Sequence, residues 1–273
     1  MKELIYAGAP TGVLFGFLKE VCFLVEKFET PNVVFCFDAD GSVRKDMYPD
    51  YKKKRHSKTL TEEEIKAKRQ FHKQIRLLRD GYLHEMGFQN VFWENGYESD
   101  DFIARAVKAI LRKDPEATIY MVTGDCDMYQ LLRENVMFYN PSKKKVFSVV
   151  TLKKELDMTP KEYRRCLAIA GCSTDEVKGV KGVGIKTALK YIRKELPKTS
   201  PRYQGIKDSR PTTKRNYKLV ALPFRSTPRI EILDDTISPD RWNKVVKGLG
   251  MKTLQDAFFP RQRRRSFGIK SQQ

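Results

Sequence analysis

Thr118–Val122 reads TIYMV and runs directly into Thr123-Gly124-Asp125-Cys126-Asp127. An apolar run this short, bounded by a turn signal, predicts a strand. Gly124 ends it, with two carboxylates just past its carboxyl end. Asn32–Phe37 (NVVFCF) has the same grammar and stops in Asp38-Ala39-Asp40-Gly41. Asn90–Trp93 predicts another strand. Glu98-Ser99-Asp100-Asp101 then opens an amphipathic helix over Phe102–Leu111, closed by Asp114-Pro115. Short buried strands alternating with helices predict an α/β fold, with a mostly parallel central sheet flanked by helices.

In parallel α/β sheets the ligand crevice lies beyond the carboxyl ends of the strands. Asp38, Glu98, Asp100, Asp101, Asp125 and Asp127 are therefore expected to converge at one edge. Carboxylates brought together repel and raise one another's pKa, so the cluster implies cations. Mg²⁺ or Mn²⁺ suits an all-oxygen site, and two such ions about 4 Å apart activate water at a phosphodiester. Each acid alone has a plainer reading. Ser99 or Asp100 could cap a helix, Asp38-Ala39-Asp40-Gly41 could be a turn, and Asp125 with Asp127 could close a strand end.

Away from these acids, Val13–Phe28 predicts a buried helix. Ser42–Lys58 is polar and dense in Lys and Arg, with Tyr48 and Tyr51 between them. Thr61 and Glu64 form a capping-box pattern ahead of a helix with apolar Phe71, Ile75, Leu78 and Tyr82, which Gly87 is expected to end. Val146–Val150 predicts one more strand. Beyond Thr151 helical patterns dominate, Pro197–Pro228 reads as a poorly ordered linker or extended excursion, and Pro260–Lys270 as a basic tail.

Gly179-Val180-Lys181-Gly182-Val183-Gly184-Ile185-Lys186-Thr187-Ala188 lies between helical segments. Its glycines permit a tight turn. The amides of Gly184 and Ile185 at a helix start suit a phosphate, with Lys181 and Lys186 adding charge. This is the pattern of a helix–hairpin–helix that holds a DNA backbone; a simple tight turn between helices is the alternative. No strand precedes the glycines, which argues against a dinucleotide fingerprint.

Lys and Arg number 53 against 34 Asp and Glu, a formal charge of +19. Such a field suits a polyanionic partner, nucleic acid above all. No run of about 18 uncharged apolar residues predicts a membrane span. The five cysteines are odd in number and form no CxxC, which fits a reduced, cytoplasmic chain without disulfides or a zinc site.

Taken in order, these motifs resemble the 5′ nuclease superfamily of flap endonucleases and 5′–3′ exonucleases, particularly those of bacteria and bacteriophages. The similarity runs from about Gly12 to Ile192, and more weakly through Asn216–Pro223. It rests on Phe37-Asp38 followed by Arg44, Pro49, Tyr51 and Lys52; on Glu98-Ser99-Asp100-Asp101; on Thr123-Gly124-Asp125-Cys126-Asp127; and on Gly171-Cys172-Ser173-Thr174-Asp175-Glu176 ahead of Gly179–Ala188.

The resemblance implies a metal-dependent nuclease acting on DNA 5′ ends, flaps and junctions in replication or repair. It implies two Mg²⁺ or Mn²⁺ ions held by Asp38, Glu98, Asp100, Asp101, Asp125, Asp127 and Asp175. Lys52 and Arg55 would hold the scissile phosphate, and Arg44, Tyr51, Lys181, Gly182, Gly184, Lys186 and Thr187 would contact DNA. A K⁺ ion is expected at the helix–hairpin–helix. The implied organisation is a nuclease core over residues 1–150 with an arch at 42–87, a helical DNA-binding region over 151–258 with the helix–hairpin–helix at 165–195, and a basic tail over 259–273. A monomer in the cytoplasm of a bacterium or a phage-infected cell is expected.

Two departures accompany the resemblance. The family's first strand ends in a metal-binding Asp, whereas no Asp precedes Asp38 here; the chain is expected to be shortened at its start. Cys172 stands where many relatives have Asp. A non-catalytic DNA-junction binding protein, and a related RNA-binding or RNA-cleaving protein, are the alternative readings.

Overall fold

A computed structural model describes residues 5–6, 8–56 and 60–259, with the side chains of Ala9, Arg55 and His56 outside the description. In chain order the strands and helices are β1 (Ile5–Tyr6), β2 (Ala9–Pro10), α1 (Gly12–Phe28), β3 (Phe35–Cys36), α2 (Arg44–Met47), α3 (Glu62–Leu77), α4 (Leu83–Met86), β4 (Val91–Phe92), α5 (Ser99–Lys113), β5 (Ile119–Val122), β6 (Val136–Asn140), β7 (Lys145–Phe147), α6 (Val149–Leu156), α7 (Pro160–Ala170), β8 (Gly171–Cys172), β9 (Val177–Lys178), α8 (Ile185–Ile192), α9 (Pro201–Asp208), α10 (Arg210–Val220) and α11 (Pro239–Gly248). They fall into two units, one of residues 1–35, 60–91 and 233–273, the other of residues 36–59 and 92–232.

In the first unit, α1 buries Leu14, Leu18, Val21, Cys22 and Val25 along one face, as its apolar spacing predicts. The Gln74 side chain, only 6% exposed, accepts the Val13 amide at 3.0 Å and so satisfies an orphan donor at the start of α1. The capping box at Thr61 and Glu64 forms in full. After α3 the helix widens into a π turn at Leu78–Tyr82 before α4, and Gly87 caps it. Phe88, Trp242 and Phe258 are fully buried, and the Trp242 indole donates to the Leu254 carbonyl at 2.7 Å.

The second unit carries the three-stranded sheet whose strand β5 leads into Asp125 and Asp127. Strands β5 and β6 are parallel, pairing Ile119 with Val136, and β7 returns antiparallel to β6. Met121, Val136, Phe138 and Phe147 join Ala104 and Val107 of α5 and Leu167 of α7 in one core. Strands β3 and β4 pair separately, and the Phe37 amide donates to the Phe92 carbonyl at 3.0 Å. The mostly parallel pairing expected is realised at β5–β6, whereas β6–β7, β1–β2 and β8–β9 pair antiparallel.

Two expectations need correcting. The run Val146–Val150 is not one strand: pairing stops at Phe147, Ser148 accepts the Thr151 amide, and α6 starts at Val149. A Ser cap outweighs the β preference of two valines. Pro197–Pro228 is not a loose excursion, since it contains α9 and α10. Pro201 and Pro211 sit in the first turns of those helices, where the missing amide would have had no partner anyway. Residues 260–273, expected to be a basic tail, lie outside the described residues.

Strands β8 and β9 form a tight antiparallel pair that brings Gly179 against the end of α7. A Cβ on Gly179 would lie 2.0 Å from the Ala170 carbonyl oxygen, a backbone atom that cannot swing aside. Gly179→Ala is expected to destabilise the second unit by about 3 kcal/mol through overpacking, measured by urea unfolding. Gly182→Ala meets nothing within 4 Å and pays only for its positive φ of 74°, so it is expected to lose about 1 kcal/mol.

Candidate active site

The sequence brings its acids together through three local devices, all in the second unit. Asp38 leaves β3 and is fixed by Ser99, whose amide and hydroxyl both donate to its Oδ1, at 2.8 and 2.9 Å. Asp125 closes a turn after β5: its amide donates to Thr123 Oγ1 at 3.2 Å, and its Oδ1 accepts the Asp127 amide at 2.8 Å. This is the turn-forming hydrogen bond that aspartate makes with its own backbone two residues on. The plainer turn reading is therefore correct locally, and the turn is what aims Asp127 inward.

Glu98 and Asp175 meet through shared partners. The Tyr51 hydroxyl lies 3.2 Å from a carboxylate oxygen of each. The Lys52 ammonium donates to Glu98 at 2.7 Å and pairs with Asp175 at 3.4 Å. Lys52 reaches them from a left-handed backbone, φ 51°, whose amide donates to the Asp175 carbonyl at 3.0 Å. For a side chain with a Cβ this conformation costs on the order of 1 kcal/mol, so the contacts around it hold it in place. Cys172 Sγ is 3.7 Å from Asp127 Oδ2 and 2.9 Å from Thr174 Oγ1. Ligand atoms of Asp127, Cys172 and Asp175 all lie within 4.8 Å of one another.

Electrostatics record the crowding. Burial, and then the charges of Asp125, Glu98 and Asp38, push the Asp100 carboxyl up to about 8, with Lys52 opposing. Burial followed by Asp125 and Asp175 pushes Asp127 up to about 6. Divalent cations would remove this repulsion, and the donors are the hard oxygens that Mg²⁺ and Mn²⁺ prefer, with one thiol among them.

Asp101 is different in kind. It is completely buried; Arg44 donates to its two oxygens at 2.6 and 2.8 Å, and the Phe224 amide at 2.7 Å. With its oxygens occupied it has little left for a metal, so Asp101 orients the start of α5 rather than coordinating. Arg44, 2% exposed, also donates from Nε to the Leu219 carbonyl at 3.0 Å and lies over the Phe224 ring. It belongs to the interior, not to a DNA-facing surface. Tyr51 is likewise 2% exposed and packs with Tyr48, Cys172, Val177 and Leu219. Its ring is unavailable for stacking on a base, and its hydroxyl serves the carboxylates instead.

In the Gly-rich turn, Gly184 is the N-cap of α8, Gly182 has φ 74°, and Lys181 and Lys186 are exposed. Thr187 lies half-buried on the first turn of α8. The side chain of Arg55 lies outside the described residues. Sequence reasoning passed over Gln130; Ser99, read as a possible helix cap, holds Asp38 instead, and the cap of α5 is Glu98. Gln130 ties the turn after Asp127 to the end of α10, donating to the Val220 carbonyl at 2.9 Å and accepting the Leu222 amide at 3.0 Å.

Residues 3–159 match the family described as 5′-3′ exonuclease, N-terminal resolvase-like domain. The chain belongs to this family. A 5′-3′ exonuclease of Aquifex aeolicus (strain VF5) is 32% identical to this family member over 188 residues, covering 68% of this chain and 61% of the relative. A 5′-3′ exonuclease of Bacillus subtilis (strain 168) is 34% identical over 192 residues, covering 68% and 60%. This family member therefore spans about three fifths of those two relatives' length. Its fold is also that of bacteriophage T5 D15 flap endonuclease, crystallised as a pseudo-enzyme-product complex with DNA and metal ions. There the TM-score is 0.68 at 22% identity, over 89% of this chain and 88% of that one. No described helix is long and apolar enough to cross a membrane.

Proposed function

We propose that this family member is a divalent-metal-dependent 5′ nuclease that hydrolyses DNA phosphodiesters near 5′ ends, flaps and junctions. The observation that carries the reading is the convergence of Asp38, Glu98, Asp100, Asp125, Asp127 and Asp175 in one unit, with two of them pushed far above the ordinary carboxylate range. The names of the relatives and the bound DNA and metal ions of T5 D15 point the same way.

Two divalent ions would be held, one of the Mg²⁺ or Mn²⁺ class by Asp38, Glu98, Asp100 and Asp125 and the other by Asp127 and Asp175. When bound they would lower the pKa of water and offset charge on the phosphate oxygens. Ser99 holds Asp38 in place, the Arg44–Asp101 pair holds the helix start bearing Asp100, and Tyr51 holds Glu98 against Asp175. Lys52 offers a cation beside the carboxylates, where a phosphate oxygen can take it, and Arg55 three residues on would add a second. Residues 42–87 would form the arch, and the turn with Lys181, Gly182, Gly184, Lys186 and Thr187 the helix–hairpin–helix on duplex backbone, with K⁺ as its ion. Action as a monomer in a bacterial or phage-infected cytoplasm completes the reading.

The test compares 5′-labelled flap DNA, 3′-flap DNA and a 5′-flap of RNA, each with Mg²⁺. The reading expects cuts near the 5′ junction of the DNA flap and at least about 10²-fold slower cutting of the 3′ flap, whose scissile bond is not oriented by the site. Equal cutting of both flaps contradicts 5′ specificity. Tight flap binding without any cut under Mg²⁺ or Mn²⁺ marks a binding protein, and preference for the RNA flap an RNase.

A further inference from the structure

We propose that Asp127, Cys172 and Asp175 form a position for a thiophilic divalent ion of the zinc or cobalt class, with the Cys172 thiolate as a direct ligand. The inference rests on the metal-centre reading above and deepens it by assigning the chemistry of one ion.

Geometry carries it first. The ligand atoms of the three residues lie within 4.8 Å of one another. The Sγ–Oδ2 separation of Cys172 and Asp127 is 3.7 Å, against about 3.5 Å for a sulfur and an oxygen sharing one tetrahedral zinc. Little movement is needed to place both on one ion. Thr174 Oγ1, 2.9 Å from the sulfur, supplies the outer hydrogen bond that orients a metal-bound thiolate.

Chemistry decides the ion. A thiolate is a soft donor that Mg²⁺ binds poorly and Zn²⁺ or Co²⁺ binds well. Two carboxylates and one thiolate leave a fourth position of a tetrahedral ion open, as catalytic zinc sites do. The sulfur is also screened, since Cys172 is 7% exposed and packs among Tyr48, Tyr51, Val177 and Leu219. A second cysteine, Cys126, is exposed beside Asp125 and Asp127, and it is removed in the test so that its thiol cannot supply the signal.

The full chain carrying Cys126→Ser is freed of metal and titrated with Co²⁺, followed by absorbance. The inference expects visible ligand-field bands together with a near-ultraviolet thiolate-to-cobalt charge-transfer band. Adding Cys172→Ser should abolish the charge-transfer band and lower Co²⁺ affinity by more than the ~10-fold that loss of an outer partner costs. Should that variant fail to fold, alkylation of Cys172 in the Cys126→Ser chain replaces it, with Zn²⁺ expected to slow the reaction at least 10-fold (roughly the same affinity scale). Ligand-field bands without charge transfer, charge transfer that survives Cys172→Ser, or alkylation indifferent to Zn²⁺ each overturn the inference. In those cases a Cys172→Asp chain that binds Mn²⁺ leaves the nuclease reading standing. Failure of both the wild-type site and Cys172→Asp to bind any divalent ion removes that reading as well.

Discussion

Arg44→Met lowers the unfolding free energy by about 3–5 kcal/mol, the range found when one partner of a buried ion pair is removed. The pair is buried on both sides, at 2% and 0% exposure, and is bidentate. The substitution keeps much of the side chain's volume, so the loss measures the charge left behind more than a cavity. Asp101 retains the Phe224 amide, but one amide does not replace a guanidinium. Arg44→Lys restores the charge without the planar fork and without the Nε bond to Leu219, and should recover only part of the loss. Urea unfolding of the three chains at neutral pH reads the effect. Equal stability of Arg44→Met and wild type would show that the pair contributes nothing.

Asp100→Asn has opposite effects on stability and on chemistry. Without metal, burial and three neighbouring acids hold the Asp100 carboxyl at about 8, against a usual 3.8. Between those values the unfolded chain has released a proton that the folded chain keeps, so metal-free stability falls as the pH rises from about 4 to about 8. Asp127 contributes in the same direction up to about 6. In EDTA at neutral pH, Asp100→Asn is therefore expected to be more stable than wild type and less sensitive to pH across that window. With Mg²⁺ it is expected to cut a 5′ flap at least about 10²-fold more slowly, on the scale of removing one preorganised charge from a reacting centre. Thermal unfolding in EDTA and single-turnover cleavage read the two sides. A variant less stable than wild type in EDTA would show that the carboxylates are not crowded.

The sequence made the strand ends legible because short apolar runs stop abruptly in acidic turns. TIYMV before Asp125 and NVVFCF before Asp38 needed no tertiary information. The Gly-rich turn was legible for a similar reason, since Gly182 takes a positive φ of 74° just before the start of α8. What lay outside its reach was direction. Arg44, Tyr48 and Tyr51 sit in a basic stretch that composition assigns to solvent, yet Arg44 reaches the Leu219 carbonyl, 175 positions away in sequence. Asp100 and Asp101 are neighbours with the same chemistry; one faces other acids and the other an arginine, and only the helix register separates them. The helices α9 and α10 were missed because proline was read as a breaker, although Ser200-Pro201 and Ser209-Arg210-Pro211 are starts.

The gathered carboxylates are proposed to hydrolyse DNA with divalent metal. The most direct measurement is cleavage of a 5′-labelled flap by the wild-type chain with Mg²⁺ and with EDTA, beside Asp125→Asn, with flap binding followed in parallel. The account predicts cutting near the junction that EDTA abolishes, that Asp125→Asn loses, and that leaves flap binding intact in the variant. Cleavage that persists in EDTA or in Asp125→Asn, or a folded wild-type chain that binds the flap and never cuts it, would contradict the account.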